Sequence, residues 1–246
     1  MNELTFFDEV IKYHSINSTN AEAKKLILSK QVQGNFLLIA DRQSSGVGRS
    51  ENKWYSPEGG LYCTVGFFNL PLKSSLTIYI AIKIVKALID IYPQLKDEIK
   101  IKWPNDIYLA DKKICGILTS AFPAQQYIIT GIGLNTNIDN FPPELSNKAT
   151  SLYLRLNNPV DHDFLLSTTF DFLAQDLPDF LINELSNHLA FYREHSFLHG
   201  RRIKLNTEFE VFAGLVKGIT TKGALLMELD NGLIQPFYSC SVIEII

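Results

Sequence analysis

Four short apolar runs follow one another with only turn residues between them: Ile99 to Trp103, Ile107 to Leu109, Ile114 to Ser120 and Tyr127 to Leu134. Each is too short for a core helix, so they are predicted as strands, with Asp111-Lys112 as a hairpin turn. Ahead of them, Ser74 to Tyr92 sets Ile78, Ala81, Ile82, Val85, Leu88 and Ile89 at helical spacing and Lys83, Lys86 and Asp90 opposite, a helix with one face on a sheet. Phe36 to Ala40 and Leu61 to Phe68 add two strands, and the sheet that results is mixed or largely antiparallel.

Helices are predicted over Asn17 to Val32, where Thr19 and Glu22 have capping-box spacing, over Asp161 to Asp176, and over Pro178 to His195 with proline at its start. After Gly200 the pattern changes to short strands: Arg202 to Leu205, Glu210 to Ile219, Ala224 to Leu229, Leu233 to Pro236 and Val242 to Ile245. Turns at Asn206-Thr207, Lys222-Gly223 and Asn231-Gly232 separate them, which predicts a small barrel.

Composition narrows the function. Of 246 residues, 46% are hydrophobic and 20% charged, ordinary for a folded globular chain and against disorder. Lys and Arg number 23 against 26 Asp and Glu, so a net charge of -3 gives no broad positive field for DNA or an anionic membrane, and a nucleic acid contact would have to be local. Cys63, Cys115 and Cys240 are odd in number and widely spaced, neither a disulfide framework nor a zinc site, and read as reduced buried thiols. The N-terminus lacks signal-peptide order and no run has about 18 uncharged apolar residues, so a cytoplasmic location is expected.

The chemistry gathers in a few segments. Asp41 to Gly60 holds four glycines, Pro57 and several serines, and with Gly46, Val47, Gly48, Arg49, Lys53 and Trp54 it reads either as an anion-binding loop or as a flexible surface connection. Lys102-Trp103-Pro104-Asn105-Asp106 puts polar groups at a strand end, where they either form a site or simply turn the chain. Lys113 lies among apolar neighbours, so its ammonium either snorkels to water or is held toward a bound anion, and Gly116 permits close backbone approach. Gly131 and Gly133, before Asn135, leave one sheet face bare for a flat ligand or merely relieve crowding. Ser18, Thr19 and Asn20 serve as a helix cap or line the same site. The five histidines show no metal-ligand spacing and read as surface or packing residues.

The order of these segments is more telling than any one of them. Ser18-Thr-Asn, Gln43 with Gly46 to Trp54, Lys102-Trp-Pro-Asn-Asp, Lys113-x-x-Gly-Ile-Leu and Gly131-Ile-Gly-Leu-Asn together resemble the biotin protein ligases, the biotin–[acetyl-CoA-carboxylase] ligase family, from about Ser15 to the C-terminal strands. The resemblance implies an α+β fold: a mixed sheet flanked by helices, of the class II aminoacyl-tRNA synthetase and biotin ligase kind, with a small C-terminal SH3-like β-barrel. It implies a catalytic domain over residues 1–198 and the barrel over 199–246, with no room ahead of Ser18 for a DNA-binding domain.

It further implies ATP-dependent activation of biotin to biotinyl-5′-AMP, with Mg²⁺, and transfer to a lysine of a biotin carboxyl carrier protein of acetyl-CoA carboxylase or a related carboxylase. Lys113, Arg49 and Asp106 are the implied catalytic residues. Ser18, Thr19, Asn20, Gln43, Gly46, Val47, Gly48, Trp54, Lys102, Asn105, Gly116, Gly131, Gly133 and Asn135 would join Arg49 and Lys113 in binding biotin or nucleotide. Neither metal ligands nor a homodimer can be assigned from the sequence. The family's loop reads Gly-Arg-Gly-Arg-x-Gly-Arg-x-Trp, whereas this chain has Val47 and Asn52 at two arginine positions and Glu51 at the third glycine. The alternatives are a lipoate ligase or octanoyltransferase, which would lack Lys-Trp-Pro-Asn-Asp, and a noncatalytic binder of biotin or nucleotide.

Overall fold

The computed structural model describes residues 5–49, 52–207, 210–238 and 240–246. Glu51 and Met1 to Leu4 lie outside the described residues.

A seven-stranded mixed sheet organises the chain. Its strands are β1 (Glu9–Ile16), β2 (Phe36–Gln43), β3 (Leu61–Phe68), β4 (Ile99–Lys102), β5 (Asp106–Leu109), β6 (Lys112–Phe122) and β7 (Tyr127–Leu134), in the order β1-β2-β3-β7-β6-β5-β4. Only β1 and β2 are parallel, and every other neighbouring pair is antiparallel. The helices are α1 (Thr19–Leu28), α2 (Leu76–Ile91), the short α3 (Pro143–Ser146) and α4 (Leu152–Leu156), α5 (His162–Asn183) and α6 (Leu189–Glu194).

Alternation along the strands sorts their side chains between two faces. On β7, Ile128, Ile132 and Leu134 enter the main core with α2 and α5, while Ile129 packs with α1, and Gly131 and Gly133 share its face. Cys115 and Ile117 of β6 and Cys63 and Val65 of β3 likewise face the main core. All three cysteines are free and buried.

Strands β8 (Arg202–Asn206), β9 (Val211–Ile219), β10 (Leu225–Leu229), β11 (Ile234–Phe237) and β12 (Ser241–Ile245) form a second, antiparallel sheet in the order β11-β10-β9-β8-β12. It has the strands expected of an SH3-like unit, but β11 and β12 are not paired with each other among the described residues, so the sheet is open where a closed barrel was expected. Ile203, Leu205, Val216, Leu225 and Met227 belong to the same continuous core as α2, and the Trp103 indole N–H donates to the Gly223 carbonyl at 2.9 Å.

Several sequence expectations are corrected. Helix α1 is shorter than Asn17 to Val32 and is capped by Ser18, whose Oγ accepts from Ala21 N–H at 3.5 Å. Thr19 therefore does not form a capping box with Glu22, whose carboxylate pairs with Lys25. The β5–β6 turn is Ala110-Asp111, both with positive φ, and Lys112 already belongs to β6. Strand β2 runs past Ala40 to Gln43 because β1 continues beside it, Ser15 pairing with Arg42 and Ile16 with Gln43, where β3 no longer pairs. The two predicted late helices are one helix, α5, continuing through Pro178 to Asn183, followed by a 3₁₀ turn and α6. A proline inside a helix costs about 3 kcal/mol. Here α5 buries Phe170, Leu173 and Phe180, with Phe180 stacked on Tyr79 at 4.0 Å, and that burial outweighs the lost hydrogen bond.

Candidate active site

The cavity, about 450 Å³, opens on the glycine-bearing face of the sheet, where β5, β6 and β7 meet the start of α1 and two loops. Its walls have different origins. The β4–β5 turn and the start of β6 bring in Lys102, Asn105, Asp106, Lys113 and Gly116, and β7 brings Gly131 and Gly133.

Lys113 Nζ stands 2.7 Å from Asp106 Oδ1, and the two side chains keep 29% and 19% exposure. The ammonium is thus held by one carboxylate and still faces the cavity. Asn105 is fixed by its Nδ2, which donates to the Ile117 carbonyl at 3.0 Å, so its Oδ1 is free to accept Arg49 Nη1 at 3.3 Å. Arg49 Nη2 donates to the Cys240 carbonyl at 3.3 Å and ties the loop to the C-terminal sheet, whose Ser241 and Val242 also line the cavity. Lys102 turns aside: its ammonium donates to the Tyr108 hydroxyl at 3.3 Å over the Tyr108 ring, and burial lowers its pKa.

The glycine-rich loop is a hairpin. Val47 bridges Lys53, Gly48 N–H donates to the Asn52 carbonyl at 2.7 Å, and Trp54 N–H donates to the Gly46 carbonyl at 2.8 Å. The Asn52 side-chain amide donates to the Arg49 carbonyl at 2.9 Å, closing the turn where the resembled pattern has an arginine. The hairpin lays Trp54 over Gly116 and Gly133, which face each other across β6 and β7. A Cβ at Gly133 would come within 2.4 Å of Trp54 Nε1, and one at Gly116 within 3.0 Å of the indole ring. The strip expected to be bare is therefore covered: an indole sits on Gly116 and Gly133, and the Asn20 amide sits on Gly131. Trp54 Nε1–H is buried without a hydrogen-bond partner among the described residues, and Lys113 Nζ lies 5.1 Å from the ring centroid.

At the other end, Gln43 Oε1 accepts from Thr19 N–H at 2.8 Å and from its hydroxyl at 3.2 Å, and Gln43 Nε2 donates to Ser56 Oγ at 2.9 Å. Thr64 donates to Asn20 Oδ1 at 2.7 Å. These bonds set donors and acceptors at fixed angles around a slot.

Of the residues singled out from the sequence, Gly46 alone does not line the cavity; its carbonyl and close contacts with Ser56 and Trp54 shape the hairpin. Asn135 lines it but is spent on structure, its amide donating to the Thr150 carbonyl at 3.0 Å. The histidines act in packing and local bonding: His188 and His195 are buried and His162 bonds Thr136. Sequence reasoning missed Phe141, Leu145 and Lys148, which come from a segment with no strong periodicity, and Ser241 and Val242, whose approach depends on how the second sheet packs. Among the described residues no three His, Cys, Asp or Glu side chains gather as a metal site. Asp106, the one carboxylate lining the cavity among the described residues, is engaged by Lys113, so this donor set does not fit a protein-held Mg²⁺.

Residues 13–137 match the model of the Biotin/lipoate A/B protein ligase family, and residues 198–243 match that of the Biotin protein ligase C terminal domain. The chain is 29% identical over 236 residues to the bifunctional ligase/repressor BirA of Bacillus spizizenii, spanning 92% of this chain and 71% of that one. It is 26% identical over 223 residues to the biotin–[acetyl-CoA-carboxylase] ligase of Mycobacterium tuberculosis, 87% of this chain and 81% of that one. The biotin protein ligase of Aquifex aeolicus, solved in complex with biotin and ATP, superposes with a TM-score of 0.84 at 27% identity over 96% of this chain and 99% of that one. The chain belongs to the Biotin/lipoate A/B protein ligase family.

Proposed function

We propose that this chain activates biotin with ATP and transfers it to a lysine of a biotin carboxyl carrier protein of acetyl-CoA carboxylase or a related enzyme, in the cytoplasm. The observation that carries the reading is the cavity itself: one cavity is lined by Arg49 and by the Lys113–Asp106 pair, and also by Thr19 and Gln43 with their fixed polar groups, around Trp54. The likeness to a ligase solved with both biotin and ATP supports it. We assign the ligation chemistry to residues 1–198 and the open sheet to a C-terminal unit over 199–246.

In the first step a biotin carboxylate oxygen attacks the α-phosphorus of ATP, the bond to the pyrophosphate oxygen breaks, and biotinyl-5′-AMP forms. Negative charge on the phosphate oxygens grows toward Lys113 and Arg49, which are already in place. In the second step a neutral lysine amine attacks the acyl carbon, the bond to the AMP phosphate oxygen breaks, and the amine's proton passes to solvent as AMP leaves. Asp106 is the carboxylate positioned to orient that amine once Lys113 turns to the phosphate. Magnesium enters as part of the ATP substrate, neutralising phosphate charge.

Thr19, Asn20 and Gln43 match the donor and acceptor pattern of a cyclic urea, and the Trp54 indole walls an apolar body. Incubation with biotin, ATP and Mg²⁺ should release pyrophosphate, and adding carrier protein should give a biotinylated lysine. Pyrophosphate with lipoic or octanoic acid but not with biotin selects the lipoate reading. No pyrophosphate with any acid, together with tight biotin binding, selects the noncatalytic one.

A further inference from the structure

The cavity holds more positive charge than its carboxylate balances. Arg49, Lys53, Lys102, Lys113 and Lys148 line it against Asp106 alone, so five cations less one anion give +4 among the described residues of a chain whose net charge is -3. Three of the five are engaged: Lys113 by Asp106, Arg49 by Asn105 and the Cys240 carbonyl, Lys102 by Tyr108. Lys53 and Lys148 are exposed, and neither has a side-chain partner among the described residues.

Lys148 is nevertheless fixed at its backbone. Its carbonyl accepts Lys113 N–H at 2.9 Å, and Thr150 N–H donates to the Lys113 carbonyl at 3.1 Å, so residues 148–150 run beside the start of β6 as a parallel bridge. Lys112 Nζ donates to the Ser146 carbonyl at 2.8 Å and pins the segment from its other end. A main chain strapped to Lys113 and an ammonium with no partner put a free cation at the cavity mouth, beside the residue that faces the α-phosphate in the proposed reaction.

We infer that Lys148 is a substrate-binding residue for the β- and γ-phosphates of ATP. The inference rests on the adenylating function proposed above and names the group that receives its leaving phosphates. Arg49 is held by Asn105 and the Cys240 carbonyl and Lys113 by Asp106, so the terminal phosphates of a triphosphate call for a further cation lining the same cavity. A lysine suits a group that must depart, because a hydrated point charge on a flexible stem grips a phosphate less rigidly than the bidentate fork of an arginine.

The test uses the full chain with Lys148→Ala, Lys148→Arg and Lys53→Ala. Pyrophosphate release is followed with ATP and biotin varied in turn, and ATP and AMP are titrated separately at equilibrium. Lys148→Ala should raise KM for ATP and weaken ATP binding by about five- to tenfold, leaving KM for biotin and the affinity for AMP unchanged, with Lys148→Arg recovering most of the loss. Equal weakening of ATP and AMP, or ATP binding within about twofold of wild type, would overturn the inference. So would loss of ATP affinity in Lys53→Ala with Lys148→Ala silent. A wild-type chain that released no pyrophosphate would instead reject the adenylating function, while the ATP and AMP titrations would still read the role of Lys148.

Discussion

The two faces of the large sheet treat polar groups in opposite ways. On the cavity face the strands shrink to Gly116, Gly131 and Gly133, and the volume given up is filled by Trp54 and Asn20, side chains from other segments. Behind the opposite face, packing is closed and even a charge is enclosed: Lys83 of α2 is fully buried, ion-paired to Asp176 of α5, with its ammonium 4.7 Å from the Tyr79 ring centroid. Burial pulls the Lys83 pKa down, against the opposing pull of Asp176. One face surrenders contacts to make room for a ligand, and the other encloses its polar groups within the packing. Substitutions on the first should move activity and spare stability, and those behind the second should do the reverse.

The largest expected effect is on the cavity face. Lys113→Ala should cut pyrophosphate release by at least about a hundredfold, because a preorganised cation at developing charge is worth that much in a site of this kind. Its thermal midpoint should fall only slightly, since the Lys113–Asp106 pair it removes is partly exposed. A rate within about tenfold of wild type would break the assignment.

Behind the core face the next largest effect is in stability. His188 is 3% exposed and neither ring nitrogen has a partner among the described residues. Burial, then the charges of Lys83 and Lys86, hold its pKa down to about 4, against the weaker opposite pulls of Asp176 and Asp179. Unfolded, the ring titrates near 6.5, so the unfolded chain binds the proton first. Stability is therefore full above about pH 6.5 and falls progressively toward pH 4, by up to about 3 kcal/mol for this group. Burial alone would raise the Asp176 carboxyl, but the Lys83 hydrogen bond and the charges of Lys83 and Lys86 together hold it below its usual range, which adds a loss at still lower pH. Urea unfolding of His188→Leu between pH 7 and 4.5 should show a flatter slope than wild type, with pyrophosphate release at pH 7 unchanged. Parallel slopes would remove His188 from the account.

The same division decides what could be read beforehand. Strands β3 and β7 appear at their expected bounds because both are central strands whose composition is dominated by packing. The polar motifs on β5 and β6 were legible because strand ends fix where side chains emerge. Strand β1 was not predicted: it is a partly exposed edge strand, Glu9–Ile16, and its apolar alternation is interrupted by charge. The loop walls were illegible for a different reason. Nothing near Trp54 in sequence says that it lies on Gly133, and nothing near Lys148 says that its carbonyl meets Lys113; both are long-range contacts. Pro178 misled because local propensity ends a helix that tertiary burial carries through.

A smaller effect grades the cavity face itself. Gly133→Ala drives a methyl into Trp54 Nε1, whereas Gly116→Ala meets the ring edge at 3.0 Å and asks for only a slight shift. If the indole forms the ligand wall, KM for biotin should rise about tenfold in the first and about threefold in the second, with little change in unfolding midpoint. Equal effects, or none, would mean that Trp54 swings off the glycines when ligand enters.

The smallest effect separates the loop's backbone from its side chains. Val47 is 49% exposed, lines the cavity and bridges Lys53 across the hairpin, so Val47→Arg would place a guanidinium on a wall that already carries Lys53. Were the wall short of charge, a bond to the adenylate would be worth roughly 1.5–3 kcal/mol and escape of biotinyl-5′-AMP would slow by ten- to a hundredfold. Lys53 already stands there, and an exposed cation gains only about 0.2–1 kcal/mol, so the slowing should be closer to two- to fivefold. Dissociation of preformed biotinyl-5′-AMP, followed by tryptophan fluorescence, reads the difference directly. Lys148 should not enter this measurement, because the adenylate has lost the phosphates it is proposed to hold, and Val47→Arg should act equally with Lys148→Ala. A hundredfold slowing would mean that Lys53 does not reach the intermediate. No slowing in Val47→Arg and no acceleration in Lys53→Ala would leave retention to Arg49 and to backbone N–H groups of the hairpin.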